Sequence, residues 1–133
     1  MARWFIDIAS DLGLKVKNEW TSLFQPAFGE IHHQEHFGYK QFMKLWSQPE
    51  KPKGLLVFTD IIARGVIMAI REKQVRVPEE LKLALHKNEL SDLFCPMPAT
   101  FVVSSERETA RALIEQVQKQ FRGESCELSL IHI

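Results

Sequence analysis

The stretch Gly54-Leu55-Leu56-Val57-Phe58-Thr59-Asp60 sets the architecture. An unbroken apolar run closed by a polar pair is the pattern of a parallel strand buried on both faces, not the alternation of a strand with one wet side. Directly after it, Ile62, Val66, Ala69 and Ile70 recur at helical spacing over residues 61–74, with Asp60 placed to cap that helix. A strand feeding a helix in this way is the first half of a βαβ unit, and parallel strands need crossover connections to close.

The rest of the chain supplies the companions. Phe5, Ile8, Ala9 and Leu12 share one helical face, and Gly13 is a natural stop. Residues 19–25, with Trp20-Thr21-Ser22-Leu23-Phe24 ended by Pro26, suit a strand. Phe37, Phe42, Leu45 and Trp46 predict a helix over 34–47, which the Pro- and Gly-containing stretch 48–54 ends. Strands are expected at 81–86 and 99–104, and Ser105-x-x-Glu108 resembles a capping box opening a helix over 106–121. Gly123 ends it, and residues 126–132 alternate as a last strand with one face exposed. The expected fold class is α/β, with a mainly parallel, doubly wound sheet flanked by helices.

Composition narrows the function classes. The chain has 133 residues, 17 Lys and Arg against 17 Asp and Glu, and its charges are interspersed, so it lacks the basic stripe with which proteins hold DNA phosphates. Cys95 and Cys126 are far apart and form neither a zinc ribbon nor a redox pair. No segment approaches the roughly 18 uninterrupted apolar residues of a membrane span, and the N-terminus lacks the pattern of a secretion signal, so a cytoplasmic location without membrane contact is expected. No Gly-rich phosphate loop, Gly-x-Ser-x-Gly elbow or Ser-His-Asp arrangement is readable, and a receiver domain would need an acidic pair before Asp60 that is missing. The expectation is therefore no catalysis, no catalytic residue and no cofactor.

The run Leu56-Val57-Phe58-Thr59-Asp60-Ile61-Ile62-Ala63-Arg64-Gly65-Val66-x-x-Ala69-Ile70, followed by Val75-Arg76-Val77-Pro78-Glu79-Glu80-Leu81, resembles LacI/GalR-type transcriptional regulators. The likeness is to the C-terminal half of their effector-binding domain, a periplasmic-binding-protein-like domain of type 1. It spans essentially the whole sequence. It implies that residues 1–98 belong to the C-terminal effector-binding subdomain, that 99–123 form a strand and helix of the N-terminal one, and that 124–133 return as a last strand to the C-terminal one. It further implies a homodimer, a small polar effector such as a sugar or sugar derivative, and DNA contact only through a helix-turn-helix head absent from this sequence.

In open α/β sheets, ligands sit beyond the carboxyl ends of the strands. That position selects Thr59 and Asp60 after one strand and His86, Lys87 and Asn88 after the next as candidate effector contacts. Such groups suit hydroxyls, which both donate and accept. The resemblance places Thr59 where the family has Asn, and Lys87 where it commonly has an effector-binding Asp, so a cation here suits either a carboxylate- or phosphate-bearing effector or a different hydrogen-bonding pattern altogether. It also sets His33 in a loop where family members often hold an aromatic against the effector. His32-His33-x-x-His36 has one-turn spacing but no His-Glu-x-x-His signature, and no metal is assigned to it. Two alternatives stay open: a fragment of a transport-type sugar-binding protein, and a dimerisation module with no working ligand site.

Overall fold

The computed structural model describes residues 2–25 and 33–124. In chain order they form α1 (Ala2–Asp11), a single 3-10 turn (Asn18–Trp20), α2 (Gln34–Trp46), β1 (Gly54–Val57), α3 (Asp60–Glu72), β2 (Lys82–Asn88), β3 (Thr100–Ser104) and α4 (Glu106–Phe121). The three strands make one open parallel sheet in the order β1-β2-β3. The α/β class with a parallel sheet is as expected, and the segment 126–132 lies outside the described residues.

The register opposes Leu55 to Leu83 and Val57 to Leu85, so these side chains share a face. That face is roofed by α3, whose Ala63, Val66, Ile67 and Ile70 are buried, and α2 lies against α3 and adds Phe42 to the same core. Leu81 and Leu85 are completely buried and Ile70 nearly so, each side chain removing enough apolar surface to contribute about 1.5–3 kcal/mol before entropy is counted.

Two helices reach this closeness because side chains are missing where they touch. A Cβ added to Gly38 would lie 2.2 Å from the Ile62 carbonyl oxygen, and one added to Gly65 would lie 1.8 Å from that of Glu35.

Three helices also stop alike. At α1 the Leu14 N–H reaches Ala9 O (2.8 Å) and the Gly13 N–H reaches Ser10 O (2.9 Å), with Gly13 at φ +72°, the paired bonds of a Schellman motif. The ends of α3 and α4 repeat this at Gln74 (φ +53°) and Gly123 (φ +70°).

The structure departs from expectation at three places. Residues 21–25 take no regular structure and pair with no strand among the described residues. Their aromatic and polar groups go to α2 instead, Phe24 packing edge-on to Phe37 at 5.1 Å and Ser22 donating to Gln41 at 3.0 Å. The cap of α3 is Thr59, whose Oγ1 accepts from the Ile62 N–H (3.4 Å), while Asp60 is the first helical residue and accepts from the Ile61 N–H (3.0 Å). Finally, β1 is covered on one face only. On the other, Leu56, Phe58 and Val102 are about half exposed, and neither α1 nor α4 packs extensively against the sheet.

Candidate functional site

The carboxyl ends of β1, β2 and β3 bring polar groups to one end of the sheet. At the first, Thr59 adopts φ +79° and ψ 137°, a region that a β-branched residue populates only when its surroundings force it. The turn it makes ends the strand abruptly and starts α3 in the next residue, placing the half-buried Asp60 carboxylate in the first turn of α3, where the helix dipole favours a negative charge.

On β2, neighbouring residues point to opposite faces. His86 lies on the open face, its ring stacked on Phe58 with centroids 4.2 Å apart and planes inclined by 21°. Its Nε2 is 2.6 Å from Ser104 Oγ, and its Nδ1 is buried with no partner. Lys87 lies on the other face, its ammonium 5.4 Å from the centre of the Phe101 ring, a cation–π contact. Asn88 is exposed at the strand end, opposite Ser104 in the register. His33 stands exposed at the N-cap of α2 without a side-chain capping bond. Glu35 of α2 meets Gly65 of α3 and Gly38 meets Ile62, so the helices pass each other in opposite order and the His33 end of α2 lies toward the middle of α3, away from the turn at Thr59 and Asp60.

The candidates therefore fall into separate groups. Thr59 and Asp60 share the strand-to-helix turn, His86 joins Phe58 and Ser104 on one face, and Lys87 faces away from that trio. Phe58 and Ser104 were not among the sequence candidates. The signal for them was the parallel pairing itself, which places the residues after β1 and at the end of β3 on either side of His86. The Ser104–His86 pair has the contact of a nucleophile and base, but no carboxylate orients Nδ1 among the described residues.

Another concavity lies elsewhere among the described residues. A shallow groove of about 220 Å³ between α2 and α3 is lined by Glu35, His36, Tyr39, Gly65 and Met68. At its border the Tyr39 hydroxyl donates to Glu72 Oε2 (2.5 Å), which holds the phenol pKa above its ordinary value through that bond first and burial second. His32 lies outside the described residues, and no group of three or more potential metal ligands gathers among those described.

Comparison with known sequences adds a lineage to this geometry. The profile of the periplasmic binding protein-like domain matches residues 1–130. The chain is similar to the HTH-type transcriptional repressor PurR of Mannheimia succiniciproducens, with 29% identity over 93% of this chain and 36% of that protein. It is also similar to the PurR repressors of Pasteurella multocida, with 25% identity over 97% of this chain and 36% of that protein, and of Glaesserella parasuis, with 28% identity over 86% and 33%. The chain thus spans about a third of the length of the curated relatives it matches.

Proposed function

Since the chain belongs to the periplasmic binding protein-like domain family and carries the resemblance to LacI-type regulators across its length, we propose that it is the effector-binding part of such a regulator. In this reading a small polar effector sits at the carboxyl end of the sheet. Its binding favours one arrangement of two subdomains, and a helix-turn-helix head elsewhere in a longer cytoplasmic parent converts that preference into DNA affinity. The protein makes and breaks no bond. In this reading residues 1–98 build the C-terminal subdomain and 99–123 give a strand and helix to the N-terminal one; that α4 packs only sparsely on the sheet supports the division, while the pairing of β3 with β2 speaks against it. The return of 124–133 falls almost wholly outside the described residues.

One observation carries the reading. Thr59 holds a strained backbone at the strand-to-helix turn where the sheet presents its ligand end, and such strain persists where a site needs it. Asp60, His86, Asn88 and Ser104 surround that end with groups that pair with hydroxyls, and a sugar or sugar derivative suits them. Lys87 adds a cation for an acidic substituent. Its present contact with Phe101 would have to be exchanged for the effector, so this residue is the most exacting part of the proposal.

The test is a thermal-shift screen of the protein against sugars, sugar acids, sugar phosphates and nucleobases. A ligand bound only by the folded state raises apparent stability by RT ln(1 + [L]/Kd), about 2.7 kcal/mol at a hundredfold excess over Kd. The expected result is a hit in one class that Asp60→Ala removes and Lys87→Met weakens most for acidic members. A screen without any hit, or a hit indifferent to both substitutions, overturns the assignment.

A further inference from the structure

α3 opens at the carboxyl end of the sheet, and a helical side chain leans toward the N-terminus of its own helix. Arg64 follows Asp60, the first residue of α3, by four positions, and residues so spaced share a helix face. Its guanidinium therefore reaches back toward the end where Thr59 and Asp60 stand. The contact it makes confirms the direction: it donates to the carboxylate of Asp92, in the loop that follows β2 after Asn88. The next residue, Leu93, is buried in the core and its N–H donates to Ser91 Oγ (3.3 Å), so the loop brings Asp92 to a defined place.

We propose that Arg64 is a specificity-determining residue of the effector site and that Asp92 is an internal stand-in for the effector's acidic group. Exchanging one carboxylate for another keeps the charge-assisted hydrogen bonds of the guanidinium. The Asp92 side chain is 87% exposed and that of Arg64 42%, a pairing of the kind that contributes little net stability, so Asp92 returns to water at small cost. The incoming anion also gains from the first turn of α3, where the helix dipole favours negative charge. Lys87, by contrast, has to leave the Phe101 ring before it can serve. A planar guanidinium grips two oxygens of a carboxylate or phosphate at once, which an ammonium does not.

Asp60 and Arg64 carry opposite charges about 6 Å apart along the helix, four residues at 1.5 Å each. Asp60 repels an anion and accepts from hydroxyls, so the two residues impose an order on a ligand: hydroxyls against Asp60, acid against Arg64. The class selected is a sugar acid or sugar phosphate whose acidic group lies about 6 Å from a hydroxyl, whereas a neutral sugar leaves Arg64 with Asp92. This inference rests on the reading that the effector sits at the carboxyl end of the sheet, but its test uses a simple anion and two other residues, so the two fail separately.

The experiment is a titration of the isotope-labelled 133-residue protein with inorganic phosphate at constant ionic strength, followed by amide chemical shifts. Saturable shifts are expected in residues 59–64 and 91–93. Arg64→Met should abolish them and Arg64→Lys should weaken them. Arg71→Gln, which removes the same charge at an exposed position two turns further along α3, should leave them unchanged. Asp92→Asn, at a position exposed enough to leave the fold intact, should tighten phosphate binding about two- to fivefold, the range an exposed ion pair supplies. Absent shifts, shifts that survive Arg64→Met, an equal loss in Arg71→Gln, or an affinity that Asp92→Asn leaves unchanged each overturns the proposal. A neutral sugar held through Asp60 in the thermal screen, together with any of those results, leaves the reading of the site standing without Arg64. Phosphate held through Arg64 with no hit in the screen leaves the anion site standing without that reading.

Discussion

Gly65 lies so close to the backbone of Glu35 that a single added carbon would stand 1.8 Å from the Glu35 carbonyl oxygen. No rotamer relieves that contact, because a Cβ is fixed by its own backbone and the atom it meets is main chain. Gly65→Ala should therefore force α2 from α3 and cost more than about 3 kcal/mol, at the upper end of overpacking effects. Gly54→Ala, whose new carbon meets nothing nearer than Lys82 O at 4.0 Å, is the control and should stay within about 1 kcal/mol. Urea midpoints of the two variants make the comparison.

Gln74 closes α3 in the left-handed region, at φ +53°, where two other helices of the chain place glycine. Its side chain is exposed and makes no capping bond. Gln74→Gly should raise stability by about 1 kcal/mol, the penalty an L-residue bears in that region. A lowered thermal midpoint would contradict this.

Leu85 and Leu56 occupy neighbouring strands but opposite faces, one fully buried and the other 47% exposed. Leu85→Ala should cost about 2–5 kcal/mol and Leu56→Ala less than about 1 kcal/mol. Equal losses would mean that the second face is covered in solution.

Acid should weaken the fold through two exposed carboxylates. Hydrogen bonds from Lys17 and then Lys15 hold Glu50 below the usual carboxylate range, and the Arg76 N–H followed by the Arg76 side chain does so for Glu80. A folded-state pKa lowered in this way contributes stability above the ordinary carboxylate pKa, and that contribution is lost as pH falls through the lowered value. Denaturation at about pH 7 and about pH 3 should show the loss, and Glu50→Gln should shrink it. Added salt should shrink it too, since exposed pairs are screened.

How much of this was legible depended on what each signal measures. Among the described residues, periodicity and apolar runs located the three strands and four helices, because burial of one helix stripe or one strand is a local property of the sequence. The run at Trp20-Thr21-Ser22-Leu23-Phe24 misled for the opposite reason: strand propensity becomes a strand only beside a partner, and here Phe24 packs on α2 while Trp20 closes a 3-10 turn. The site suffered from a boundary. Ending the second strand at His86 left Lys87 and Asn88 as loop residues free to converge, whereas β2 continues through Asn88 and its alternation sends Lys87 to the face opposite His86. Phe58 and Ser104 were hidden because the sequence does not state which strands are neighbours.

β2 is the strand with a neighbour on each side and a helical roof on one face. Its amides can exchange with solvent hydrogen only when the sheet opens as a whole, whereas β1 and β3 can peel away one at a time. The slowest-exchanging protons of the molecule are therefore expected in Leu83, Ala84 and Leu85, which makes that short stretch the place where the global unfolding free energy of the protein can be read directly.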